Sequence, residues 1–114
     1  MAVPDISRIT AQQLAERRQQ PGAFQLIDVR EPQEVEIVTL APCTHLPLSQ
    51  FPQWGPTLQQ TLDPHAETIV LCHHGIRSAQ MCQWLMDQGF TDVKNLSGGI
   101  DAYAVAVDPT LARY

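Results

Sequence analysis

The chain has 114 residues, 44% hydrophobic and 17% charged; that is enough for one domain with its own core, too few for two, and unlike a disordered segment. Seven basic against twelve acidic residues give a net charge of −5, so phosphate backbones are repelled and nucleic-acid binding is not expected. No stretch approaches the ~18 consecutive apolar residues of a membrane span, and Met1 to Ile9 contains Asp5 and Arg8 and no apolar run, so no membrane partner, no secretory signal and a cytoplasmic location are expected.

In chain order, Ile6 to Ile9 reads as a short first strand. Thr10 opens a capping box with Gln13, in which each residue satisfies a backbone N–H near the other. The helix that follows, about Ala11 to Gln19, stops before Pro21 and Gly22. Phe24 to Val29 is a strand candidate, and Pro32 begins a short helix through Ile37, since proline suits a first helical turn. Pro42 and Pro47 exclude a helix across the irregular stretch from Val38 to Pro47, where Leu46 marks a brief strand. Gln50 to Leu62 is helical in part, and Asp63, Pro64 and His65 form a turn.

Thr68 to Leu71 is the clearest strand. Its four residues show no polar alternation, as expected of a strand covered on both faces of a parallel sheet. Cys72 to Ser78 follows, and then a helix with Met81, Cys82, Leu85 and Met86 on one stripe and Gly89 as the residue past its end. Val93 to Leu96 is a last strand, Ser97 to Gly99 a turn, and Ile100 to Val105 a last helix. Strands separated by helices imply an α/β domain with a mostly parallel sheet. One domain is expected over residues 1–114, with a core from about 6 to 105 and an extended tail from 106 to 114.

The chemistry gathers at Cys72. Ligands of parallel α/β sheets bind beyond the carboxyl ends of strands, and Cys72 lies between the best strand and the best helix. A loop bent there can aim several backbone N–H groups at one point, with the positive end of the helix behind them. Gly75 permits the tight curve, and Arg77 brings a fixed charge near the opening. A free thiol has a pKa of about 8.5, and such surroundings lower it, so Cys72 is expected to be substantially ionised and nucleophilic toward electron-poor sulfur. Cys82, on the apolar stripe, and Cys43, beside Pro42, are expected to be structural. An odd count of three cysteines at irregular spacing is not a disulfide framework. His73 and His74 are neighbours on a tight loop and converge poorly on one ion, so they are expected to line the pocket; no metal and no cofactor are expected.

Cys72 to Ser78, CHHGIRS, resembles the active-site loop of the rhodanese family, in which a glycine stands three positions after the cysteine and an arginine five. Leu26 to Pro32, LIDVREP, resembles the family's Asp-Val-Arg-Glu segment, and Asn95 to Tyr103, NLSGGIDAY, its closing Gly-Gly-Ile segment. The likeness spans about Ile6 to Tyr103. It implies a five-stranded, mostly parallel sheet flanked by helices on both faces, and a two-step transfer. Cys72 would take sulfur from a donor such as thiosulfate and pass it to a thiol or protein acceptor. The resemblance makes His73, His74, Gly75, Ile76, Arg77 and Ser78 the substrate-binding loop, and Asp28 and Arg30 the residues that brace it. Two departures stand out: Val38 to Cys43 replaces the family's frequent Gly-His-Ile-Pro-Gly-Ala, and His73, His74 and Ile76 replace the cationic residue often found after the cysteine. The second makes the pocket less positive than in strong thiosulfate users. Two rivals remain, a protein-to-protein persulfide carrier or regulatory module, and a cysteine phosphatase or arsenate reductase. The phosphatase loop is one residue longer, wide enough for a tetrahedral oxyanion.

Overall fold

The computed structural model describes residues 6–114, so Met1 to Asp5 of the segment read for a signal lie outside it. The elements are β1 (Ser7–Ile9), α1 (Ala11–Gln19), β2 (Gln25–Asp28), α2 (Pro32–Ile37), β3 (Thr44–His45), α3 (Phe51–Trp54), α4 (Leu58–Thr61), β4 (Thr68–Leu71), α5 (Ile76–Asp87), β5 (Val93–Leu96) and α6 (Gly99–Ala106). Five strands form one sheet in the order β1-β5-β4-β2-β3, and every pairing is parallel. β4 is central, and all four of its residues are buried, which accounts for its unbroken apolar sequence.

Period-two alternation sends neighbouring side chains of β4 to opposite faces. Ile69 and Leu71 pack with Leu14, Leu26, Leu96, Ile100 and Tyr103 on the side of α1 and α6. Val70 and Cys72 pack with Ile27, Leu58, Met81, Cys82 and Leu85 on the side of α4 and α5. The α5 side therefore receives the Cys72 sulfur because Cys72 is in phase with Val70. Both faces of the sheet are covered by helices, as the fold class requires.

Local chemistry sets the element ends. The Thr10 hydroxyl accepts from Gln13 N–H at 3.1 Å while Gln13 Oε1 accepts from Thr10 N–H at 2.9 Å, completing the expected box. The C-terminus of α5 is closed by Phe90 N–H donating to Leu85 O and Gly89 N–H to Met86 O, a Schellman pair with buried Phe90 behind it. Gln50 to Leu62 is broken into α3, a 3-10 turn and α4. Pro56 withholds the N–H that one continuous helix would need there, whereas Pro52 lies in the first turn of α3, where proline is tolerated.

Two details depart from the sequence reading. The brief strand beside β2 is Thr44–His45 rather than Leu46, although Leu46 N–H continues the ladder by donating to Asp28 O at 2.9 Å. The tail does not run out extended. It turns at Asp108 to Leu111, where Leu111 N–H donates to Asp108 O, and Tyr114 returns to stack on His73.

Candidate active site

Cys72 follows the last residue of β4, and its side chain is almost wholly enclosed, with 1% of the residue exposed. Its Sγ accepts from the Gly75 N–H at 3.0 Å and from the Ser78 hydroxyl at 3.3 Å. The amides of His74 and Ser78 also favour its thiolate. Burial alone pushes a thiol up, but these donors together outweigh it and hold Cys72 below its ordinary value. Cys82 shows the contrast. It sits one turn further along α5 with no comparable donors, and burial pushes it up to about 12. Cys43 is likewise pushed up by burial.

Carbonyl oxygens must face away for loop amides to face inward, and α6 arranges this. Its first free amides take them: Ile100 N–H donates to Cys72 O at 2.9 Å and Asp101 N–H to His73 O at 3.2 Å. The approach is so close that a Cβ on Gly99 would lie 2.5 Å from the Cys72 oxygen, a contact no side chain permits. Gly75 turns the loop into α5 at φ +103°, a left-handed conformation that glycine adopts without strain. Its N–H can then reach the sulfur while its carbonyl accepts from Asn95 Nδ2 at 2.9 Å. The N-terminal end of α5 thus stands behind the sulfur with its partial positive charge.

Ser78 is fully buried, and besides the sulfur it reaches Asn95 Oδ1 at 2.5 Å. Asp28 and Arg30 form a fully buried ion pair, with Arg30 Nη2 at 2.7 Å from Asp28 Oδ2. The same guanidinium donates to the Val38 and Glu34 carbonyls and to the Tyr114 hydroxyl, and the Arg30 carbonyl bonds His45 Nε2 at 2.6 Å. The pair therefore ties the segment after β2 to α2, to β3 and to the tail.

The structure corrects one expectation. Arg77 does not stand as a free charge at the opening: Glu34 of α2 grips it through two bonds, Nη1 to Oε2 at 2.7 Å and Nη2 to Oε1 at 2.8 Å. Fork-to-carboxylate pairing of this kind is strong and directional. The Arg77 hydrogen bonds hold the Glu34 carboxyl down to about 2, against an ordinary 4.5. The His73 ring lies between His74 and Tyr114, with centroids 3.9 Å from each. Burial and the neighbouring His74 lower its pKa. Ile76 points outward and is 73% exposed.

Cys72, Gly75 and Ser78 thus meet at the sulfur, His73 stacks between His74 and Tyr114, Arg77 is paired with Glu34, and Ile76 faces solvent. Three contributors were not singled out from the sequence: Glu34, Asn95 and Tyr114. Asn95 carried a signal, being a polar residue in an otherwise buried strand end. Glu34 and Tyr114 carried none, because Glu34 acts on Arg77 and Tyr114 on His73 and Arg30, all far away in the chain.

The rhodanese-like domain family matches residues 10–106 of the chain. The chain belongs to that family. It is 43% identical over 112 residues to the rhodanese-like/PpiC domain-containing protein 12, chloroplastic, of Arabidopsis thaliana, covering 96% of this chain and 38% of that protein. YtwF of Bacillus subtilis, which bears a sulfurtransferase name, is 31% identical over 105 residues, covering 92% of this chain and 97% of that one. Among solved structures, a rhodanese-related protein from Thermoplasma volcanium superposes with a TM-score of 0.74 at 27% identity, over 89% of this chain and 93% of that one. The rhodanese-like chain therefore spans less than half of the Arabidopsis relative and nearly all of the Bacillus one. Among the described residues, no helix is long and apolar enough to cross a membrane.

Proposed function

We propose that this chain is a sulfurtransferase that carries sulfane sulfur as a persulfide on Cys72, works as one domain, and draws on persulfide donors more readily than on thiosulfate. The observation that carries the reading is the single sulfur enclosed by inward-facing donors at the positive end of α5. A thiolate there is stabilised as an anion is in an oxyanion hole.

In the loading step Cys72 Sγ attacks the outer sulfur of the donor. The new S–S bond forms as the donor's own S–S bond breaks, and its electron pair leaves with the donor thiolate, or with sulfite when the donor is thiosulfate. In the second step an acceptor thiolate attacks the outer sulfur, and Cys72 departs as thiolate. No net oxidation occurs. The donor preference follows from charge. Thiosulfate is a dianion, and the cation of the loop, Arg77, is already paired with Glu34. A thiol persulfide carries less charge and has less need of that cation.

A protein donor or acceptor is favoured by Ile76, whose exposed side chain adjoins an open cleft of about 410 Å³ beside the loop. Three free thiols suit a reducing compartment such as the cytoplasm. The phosphatase alternative is disfavoured by the short loop and by the occupied guanidinium. Incubation with cysteine persulfide or thiosulfate followed by intact-mass measurement tests the proposal. The expected result is one added sulfur, absent in Cys72→Ser and retained in Cys43→Ser and Cys82→Ser. Loading that survives Cys72→Ser overturns it.

A further inference from the structure

The Ser78 hydroxyl has one proton and two acceptors. Oγ lies 3.3 Å from Cys72 Sγ and 2.5 Å from Asn95 Oδ1. The orientation of the Asn95 amide is not free, because its other end must donate: Nδ2 meets the carbonyl of Gly75 at 2.9 Å, and a carbonyl can only accept. Oδ1 therefore faces Ser78 and can only accept as well. Asn95 is 7% exposed and Ser78 is fully buried, so a lost partner at either is costly.

The uncharged thiol completes the chain. Its S–H donates to Ser78 Oγ, the hydroxyl donates to Asn95 Oδ1, and Nδ2 donates to Gly75 O. When the thiol proton leaves to solvent, the sulfur needs a donor, so the hydroxyl turns to Sγ and Asn95 Oδ1 loses its bond. When Cys72 is loaded, the charge moves to the outer sulfur and Sγ becomes a neutral bridging atom. The hydroxyl is then released back to Asn95. Its proton stays on Ser78 throughout.

We infer that Asn95 is a positioning residue for Cys72: by drawing the Ser78 proton whenever Sγ is uncharged, it restrains ionisation of the thiol and favours the persulfide-loaded protein over the thiolate. The other titratable groups around the loop are His73 and His74 on it, Arg77 and Cys82 on α5, Asp101 on α6, and Glu34 and Tyr114 beside Arg77. None of them bonds the Ser78 hydroxyl.

Because the relay acts on the nucleophile of the proposed sulfur transfer, its place in the reaction rests on that reading. The test measures the iodoacetamide alkylation rate of the Cys72 peptide from about pH 5 to about pH 10, in the full chain with confirmed folding. Asn95→Ala should lower the apparent Cys72 pKa by about one unit, a change of about tenfold in the thiolate ratio. Asn95→Leu, which fills the space without an acceptor, should do the same and decides the matter if the alanine variant does not fold. In a Ser78→Ala background either Asn95 change should shift the pKa by less than about 0.3 units. At a pH above the Cys72 pKa, where the unloaded protein is the thiolate, loading at equilibrium against cysteine persulfide should fall about tenfold in Asn95→Ala. A raised or unchanged pKa, which is what mere support of Gly75 predicts, or a shift that persists without Ser78, overturns the relay. Failure of the parent protein to gain sulfur on Cys72 would instead sink the transfer reading and leave the alkylation series to judge the relay alone.

Discussion

If the proposed donor preference rests on charge, releasing Arg77 should improve the use of thiosulfate. In Glu34→Ala the two bonds to the guanidinium, at 2.7 and 2.8 Å, are lost, and the cation becomes available to an anion at the loop. For a side chain 35% exposed, an effective dielectric of ~40 is reasonable; one charge pair at ~6 Å is then worth about 1.4 kcal/mol, a factor of about ten. The KM for thiosulfate should therefore fall roughly tenfold, while that for cysteine persulfide changes less than about twofold. Glu34→Gln should lie between, since an amide oxygen still accepts one bond from Arg77. The change has a stability cost. Glu34 also accepts from the Glu31 N–H at the start of α2 and from Tyr114. After allowance for screening at a partly exposed pair, the loss is about 1–2 kcal/mol, or roughly 5–10 °C in Tm. Steady-state kinetics with both donors, together with thermal melts, provide the measurement. An unchanged thiosulfate KM, or an equal fall for both donors, would refute the charge argument.

Gly99→Ala should cost at least about 100-fold in sulfur loading, because its methyl would force the Cys72 and His73 carbonyls aside and turn the loop amides off the sulfur; loading kinetics on folded variant check this. Asp28→Asn leaves the buried Arg30 charge without its carboxylate, and chemical denaturation should show a loss of about 3–5 kcal/mol. Alkylation near neutral pH should modify Cys72 well before Cys82, whose thiol is pushed up to about 12, and peptide mapping decides the order. Acid should weaken the fold through Glu34. Its carboxyl lies below the ordinary value in the folded protein, so its contribution is complete above about pH 4.5 and disappears as pH falls toward about 2. Glu34→Gln should flatten that part of the stability curve.

Much of this protein was legible in its sequence because the relevant physics is local. Proline and glycine placement, the Thr10 capping box and the apolar run of β4 depend on residues a few positions apart, and they set elements close to those observed. The same locality marked Cys72 as the candidate centre: strand, cysteine, glycine and helix are consecutive, so the bend and the α5 dipole follow from the order of residues. Family resemblance supplied the sheet and pointed to Asp28 and Arg30, which form a buried pair. What tertiary structure alone decided is how charge and hydrogen are distributed around the sulfur. Glu34 reaches Arg77 across 43 positions, Asn95 reaches Ser78 across 17, and Tyr114 meets His73 only because the tail turns back. Composition and spacing cannot reveal a free cation becoming a neutral pair, because that depends on which surfaces the fold presses together.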